Sequence, residues 1–182
     1  MRTNLARRFV AFRDERAVPD PWGFGTVWTI RREGAAAVQR ALGEIQRKNP
    51  IARAAINATA RATLAASLRS GGNADELARA ALEREVGRFE LGEEDLERLS
   101  ADAAENVLAR IAGWEGLTDE DGAPIPYSES AARELLAASD FVDDGLPYGG
   151  QELGRALSQW ILEESRASEA FRGEVLEETR GN

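Results

Sequence analysis

The residues whose type and spacing best suit chemistry are the carboxylates of Asp119, Glu120 and Asp121, followed by Gly122. Closely spaced carboxylates ahead of a glycine suggest a calcium loop, where oxygen ligands alternate along the chain and the sixth position turns sharply. With Gly122 at that sixth position, Asp119 and Asp121 fall at the third and fifth. The first and twelfth positions are then Leu117 and Ser128, where a carboxylate and a bidentate glutamate are required. Both anchors fail, so the run reads as an Asp–Gly turn, and neither a metal nor a cofactor is expected.

A second candidate is aromatic. Trp22, Phe24 and Trp28 lie close to Arg31 and Arg32, and rings beside cations can stack nucleic-acid bases. The competing reading buries these rings against helices. A net charge of −9 and a single lysine, Lys48, favour burial, so no nucleic-acid partner is expected. Two carboxylates suffice to cleave a glycoside, but among 32 acidic residues some pair at suitable spacing arises by chance. The chain has no cysteine and no histidine, which removes thiolate catalysis, disulfides, the usual zinc ligands and every imidazole-based triad. The Gly-Phe-Gly at residues 23–25 leads into a strand rather than a helix N-terminus, so it is no phosphate loop. A non-enzyme is the expectation.

The elements that would position these groups follow from 182 residues, enough for one domain or a domain with an extension. The longest uncharged stretch, residues 21–30, is far short of the ~20 apolar residues of a membrane helix. No apolar signal core follows Arg2, Arg7 and Arg8. No membrane association is expected. Leu5, Phe9 and Phe12 mark one face of a short amphipathic helix within residues 1–16. Pro19, Pro21, Gly23 and Gly25 then predict irregular backbone, and residues 26–32 a strand that must find a partner elsewhere or in another chain. Apolar periodicity predicts helices over 34–48, 51–69, 74–86 and 93–112, the last with Ile111 on its stripe. Further helices are expected over 128–138, with Ser128 as N-cap, and over 151–165 and 168–179.

The predicted fold is mainly α, a multi-helix domain with an extended N-terminal arm and at most one short strand or hairpin. Its predicted parts are an arm over 1–32, a helical region over 33–112 and a C-terminal helical region over 113–182. Charge divides along the chain: 13 basic against 5 acidic residues up to Ser70, and 10 against 27 beyond it. Opposite signs in one chain could pair internally or along a row of subunits, and self-association is expected.

Residues 111–182 carry a motif of Trp114 and Gly116, then Asp119, Glu120, Asp121 and Gly122, then Pro124, Pro126, Tyr127 and Ser128, then Leu135 and Leu136. In order and spacing it resembles the tail assembly chaperones of long-tailed bacteriophages, as do Phe171, Arg172 and the terminal Gly181 and Asn182. The strand at 26–32 is a weaker echo. That resemblance implies a helical, non-catalytic protein that binds the tape-measure protein while the tail tube assembles. Its partners would be the tape-measure and tail tube proteins, and its place the host cytoplasm during assembly. The alternative is a permanent virion component, such as a neck, minor tail or capsid-associated protein, held by neighbouring virion subunits. The candidate partner-binding residues are Trp22, Phe24, Trp28, Arg31, Trp114, Gly116, Asp119, Asp121, Gly122, Pro124, Pro126 and Tyr127.

Overall fold

A computed structural model of the protein describes residues 13–58 and 74–171. The expected helix at 1–16 lies almost wholly outside the described residues, as do 59–69 of the second expected helix and 172–179 of the last.

Among the described residues, strands β1 (Glu15–Pro19), β2 (Val27–Arg31) and β3 (Ile111–Glu115) form an antiparallel sheet in the order β1-β2-β3. The sheet overturns the expectation of at most one short strand or hairpin with an extended arm. Residues 15–31 fold into the sheet as a hairpin, and the strand expected to need a partner finds two in its own chain. Glu15 pairs with Arg31 and Val18 with Trp28 on one side; Trp28 pairs with Trp114 on the other. The β1–β2 pairing is a local hairpin closed by the turn at residues 20–26, whereas the β2–β3 pairing joins residues far apart in the chain. β1 escapes sequence reading because Glu15, Arg16 and Pro19 suppress any strand signature. Pro19 is tolerated because Asp20 and Thr26 make the neighbouring ladder bond, leaving Pro19 opposite Val27 at a non-hydrogen-bonded position of an edge strand.

Helices α1 (Ala36–Lys48) and α2, described over residues 50–58, are separated by Asn49. Its buried Oδ1 accepts from the N–H groups of Ile51 (2.9 Å) and Ala52 (3.1 Å), capping α2, while its Nδ2 donates to Asp102 at 2.7 Å. Pro50 sits where a helix has no use for an N–H. Helix α3 (Ala74–Val86) is followed by α4 (Glu93–Leu108), whose first turn holds Glu93, Glu94 and Asp95 against the helix dipole. α4 stops at Leu108, not at 112: Ile111, expected on its stripe, is a fully buried residue of β3. Pairing with β2 wins those residues from the helix, and Ala112 is the extra residue at the bulge between the Thr29 and Ile30 pairs.

Helix α5 (Glu129–Leu136) begins at Ser128, whose Oγ accepts from the Ala131 N–H at 3.1 Å. Helix α6 (Leu153–Arg166) packs on α5 and β2, and a 3₁₀ turn (Ser168–Phe171) follows. Gly154 permits the α5–α6 approach, since a Cβ there would meet the Leu136 carbonyl oxygen at 2.3 Å. No described helix is long and apolar enough to cross a membrane.

The chain divides into two compact units. One is drawn from residues up to Val38 and from Val107 onward and holds the sheet, α5 and α6; the other spans Gln39–Asn106. The sheet unit's core contains Val18, Trp28, Ile30, Ile111, Leu157 and Ile161. Its far ends are tied together by Ser165 Oγ donating to the Arg31 carbonyl (2.7 Å) and by the Arg13 N–H donating to the Phe171 carbonyl (2.9 Å). Arg16 adds an ion pair with Glu164 and lies over the buried Phe171 ring, 5.0 Å from its centroid.

Candidate partner-binding groove

The β1–β2 turn is organised by Asp20. Its carboxylate accepts from the backbone N–H groups of Trp22 (2.9 Å), Phe24 (3.0 Å) and Thr26 (2.9 Å). Gly23 and Gly25 supply the two positive φ angles, +80° and +81°, that this tight wrap needs. The outcome is a rigid tip that buries Trp22 and leaves Phe24 61% exposed, its ring stacked on Trp22 with centroids 6.1 Å apart. Sequence reasoning passed over Asp20, although an aspartate followed by two closely spaced glycines is itself a turn signal.

All four tryptophans join one array in the sheet unit. Trp22 and Trp28 both pack on Trp160 (5.7 and 6.0 Å between centroids), and Trp28 packs on Trp114 (5.2 Å). Each is at most 7% exposed. The indole N–H of Trp22 donates to the Pro147 carbonyl at 2.7 Å, as a buried tryptophan must find an acceptor. Trp22 and Trp28 are therefore core rings rather than stacking platforms. Arg31 is likewise engaged within the fold: its Nε donates to Glu15 (3.1 Å) and its Nη1 to the carbonyls of Ala109 (3.2 Å) and Ile111 (2.8 Å).

The 114–128 motif is built as a small hairpin against this array. Asp119 Oδ1 accepts from the N–H groups of Asp121 (3.0 Å) and Ala123 (2.8 Å), and Gly122 takes φ +80°. Asp119 and Asp121 are exposed, and the Asp119 carboxylate holds the turn. Pro124 and Pro126 bracket Ile125, whose carbonyl accepts the Trp114 indole N–H at 2.8 Å. Tyr127 meets Trp114 edge to face (4.9 Å) and donates to the Ile111 carbonyl at 3.2 Å; burial pushes its phenol pKa up. Gly116, at φ +81°, lets β3 pass the β1–β2 turn, because a Cβ there would lie 2.7 Å from the Gly25 carbonyl oxygen. The motif thus positions the turn that carries Phe24.

Between this turn, the hairpin and the two C-terminal helices runs a shallow apolar groove walled by Trp22, Phe24, Leu117, Leu135, Leu153 and Leu157. Its polar lining groups, Asp20 and Thr26, have their hydrogen bonds within the turn. With a volume of about 50 Å³, the groove can receive one apolar side chain. Among the described residues, no group of three or more acidic side chains converges to hold a metal ion. The residues brought together at the groove are Trp22, Phe24 and Trp28, with Trp114, Gly116 and Tyr127 in support. Leu117, Leu135, Leu153 and Leu157 complete it, and only the fold reveals their convergence.

Neither the curated proteins nor the solved structures contain a match to the chain. A family profile described as YdaY prophage protein matches residues 70–182, well over half of the sequence. The matched region contains β3, the 114–128 motif and the leucine wall of the groove, while Trp22 and Phe24 lie outside it. The chain belongs to the YdaY prophage protein family.

Proposed function

We propose that this prophage protein is a non-catalytic tail assembly chaperone, which holds the helical tape-measure protein in the host cytoplasm while the tail tube assembles around it. The observation that carries this reading is the groove: a small apolar pocket whose rim residue, Phe24, is an exposed aromatic on a turn held by the Asp20 carboxylate. One apolar side chain of a partner helix fits such a pocket, with several copies along one partner making weak contacts that act together. The order of the 114–128 motif, which resembles that of tail assembly chaperones, supports the same reading.

The test is co-expression with the tape-measure protein encoded by the same prophage, followed by affinity capture and by composition analysis of purified tails. The wild-type chain retains the tape-measure protein and is missing from finished particles. Phe24→Glu, at an exposed position, weakens capture by about 30-fold, equivalent to the ~2 kcal/mol of an aromatic hot spot. Failure to capture the tape-measure protein overturns the proposal. Stoichiometric retention in finished tails would establish a permanent virion component instead.

A further inference from the structure

The helical unit carries an open surface unrelated to the groove. On α4, Leu96, Leu99 and Ala103 fall on one helical face, and Leu96 is 55% exposed. Leu99 and Ala103 lead into a depression of about 180 Å³ bounded by Ile45, Ala52 and Ile56. No described element of the same chain covers Leu96. The helix bearing this track has six carboxylates against one arginine, Arg98, which pairs with Glu94 at 3.2 Å. An apolar track on so acidic a helix calls for an apolar face bordered by arginines.

We propose that this track binds residues 1–12 of a second copy of the chain. That segment carries Leu5, Phe9 and Phe12 beside Arg2, Arg7 and Arg8, and no acidic residue. The apolar spacings match in reverse order: three then four residues along α4, four then three along the segment. With the segment in the helix that its apolar spacing predicts, both sets span about 10 Å, so an antiparallel arrangement seats each apolar residue opposite its counterpart. Arg2 and Arg8, which border that apolar face at about 100° per residue, then lie beside the α4 carboxylates, while Arg7 falls on the opposite face. The contact joins two different patches, so it repeats head to tail and builds chains of subunits rather than a closed pair.

Sedimentation velocity of the full-length chain over a concentration series, at low and high salt, tests the proposal. The wild type shows sedimentation coefficients that rise with concentration, and the rise shrinks as salt shortens the screening length from about 10 Å at 0.1 M to 3 Å at 1 M. Leu96→Glu, at an exposed position with its helical circular dichroism unchanged, stays monomeric, and so does the Arg2→Glu/Arg8→Glu double variant. Mixed together, the two variants form a 1:1 complex, because each still supplies the surface that the other lacks. A wild type that is monomeric throughout overturns the proposal. So does association of either variant alone at wild-type strength, or a mixture that stays monomeric while the wild type associates. Phe24→Glu leaves this association intact, which separates its outcome from that of tape-measure capture.

Discussion

The sheet unit buries four tryptophans behind its strands, whereas the helical unit buries no aromatic ring among its described residues. In the sheet unit, contacts join residues far apart in the chain, such as Trp22 with Trp160 and Ser165 with Arg31. In the helical unit, ion pairs among the described residues include local ones: Arg47 and Lys48 with Glu44, Arg79 with Glu83, Arg98 with Glu94. Exposed pairs of that kind contribute only a few tenths of a kcal/mol each, by the usual ~0.3–0.5 for i,i+4 partners. Both units leave apolar positions at the surface, Phe24, Val27 and Phe141 in the first and Leu82, Leu91 and Leu96 in the second, but the interlocked aromatic core belongs to the first. The first unit holds the groove; the second holds the α4 track that we propose a second copy of the chain covers.

The largest expected effect breaks the core of the first unit. Trp160→Ala removes the ring on which both Trp22 and Trp28 pack and should cost about 3–5 kcal/mol in chemical denaturation. Leu96→Ala, on the open face, should stay within about 0.5 kcal/mol of wild type. Equal losses at the two positions would mean that the units do not differ in the way the burial pattern indicates.

A smaller effect sharpens the role of the motif. Gly116→Ala places a Cβ against the Gly25 carbonyl at a positive φ and should cost about 1–3 kcal/mol. Because the strain falls on the turn carrying Phe24, tape-measure capture should weaken as well. Gly113→Ala, on the same strand but with nothing within 4 Å of the added Cβ, is the control and should change little.

The smallest effect is a pH step confined to the sheet unit. Burial, together with the 2.5 Å hydrogen bond to Glu163, pushes the Tyr148 phenol up to about 12. The native state therefore holds this proton more tightly than the unfolded chain, whose phenol titrates near ~10. The associated stabilisation is complete below pH ~10 and disappears as pH rises through ~12. Ultraviolet titration should show a late-ionising phenol that is lost in Tyr148→Phe. A single transition near pH 10 for both tyrosines would remove this step.

Much of the helical layout was legible because it rests on local pattern. Helix α3 runs over the predicted 74–86, Asn49-Pro50 separates α1 from α2, and Ser128 caps α5. Strand β2 was legible as the stretch at 26–32, but β1 and β3 were not, since β1 carries charge and proline and β3 continues the apolar stripe of α4. The groove was half legible: Trp22, Phe24 and Trp28 stood out as a cluster, but the leucines opposite them lie about a hundred residues away in the chain.

What the amino-acid sequence determined by itself was the set of short-range decisions: where helices start and stop, where the Asp–Gly turn falls, and the absence of thiol and imidazole chemistry. Those depend on residues within a turn or two of one another. The tertiary structure decided that Ile111 belongs to a strand, that Trp22 and Trp28 face the core while Phe24 faces outward, and that Arg31 bonds within the fold. The physical reason is that sheet pairing and aromatic burial gain their free energy from partners distant in sequence, and such a gain outweighs local preference once the chain has folded back on itself.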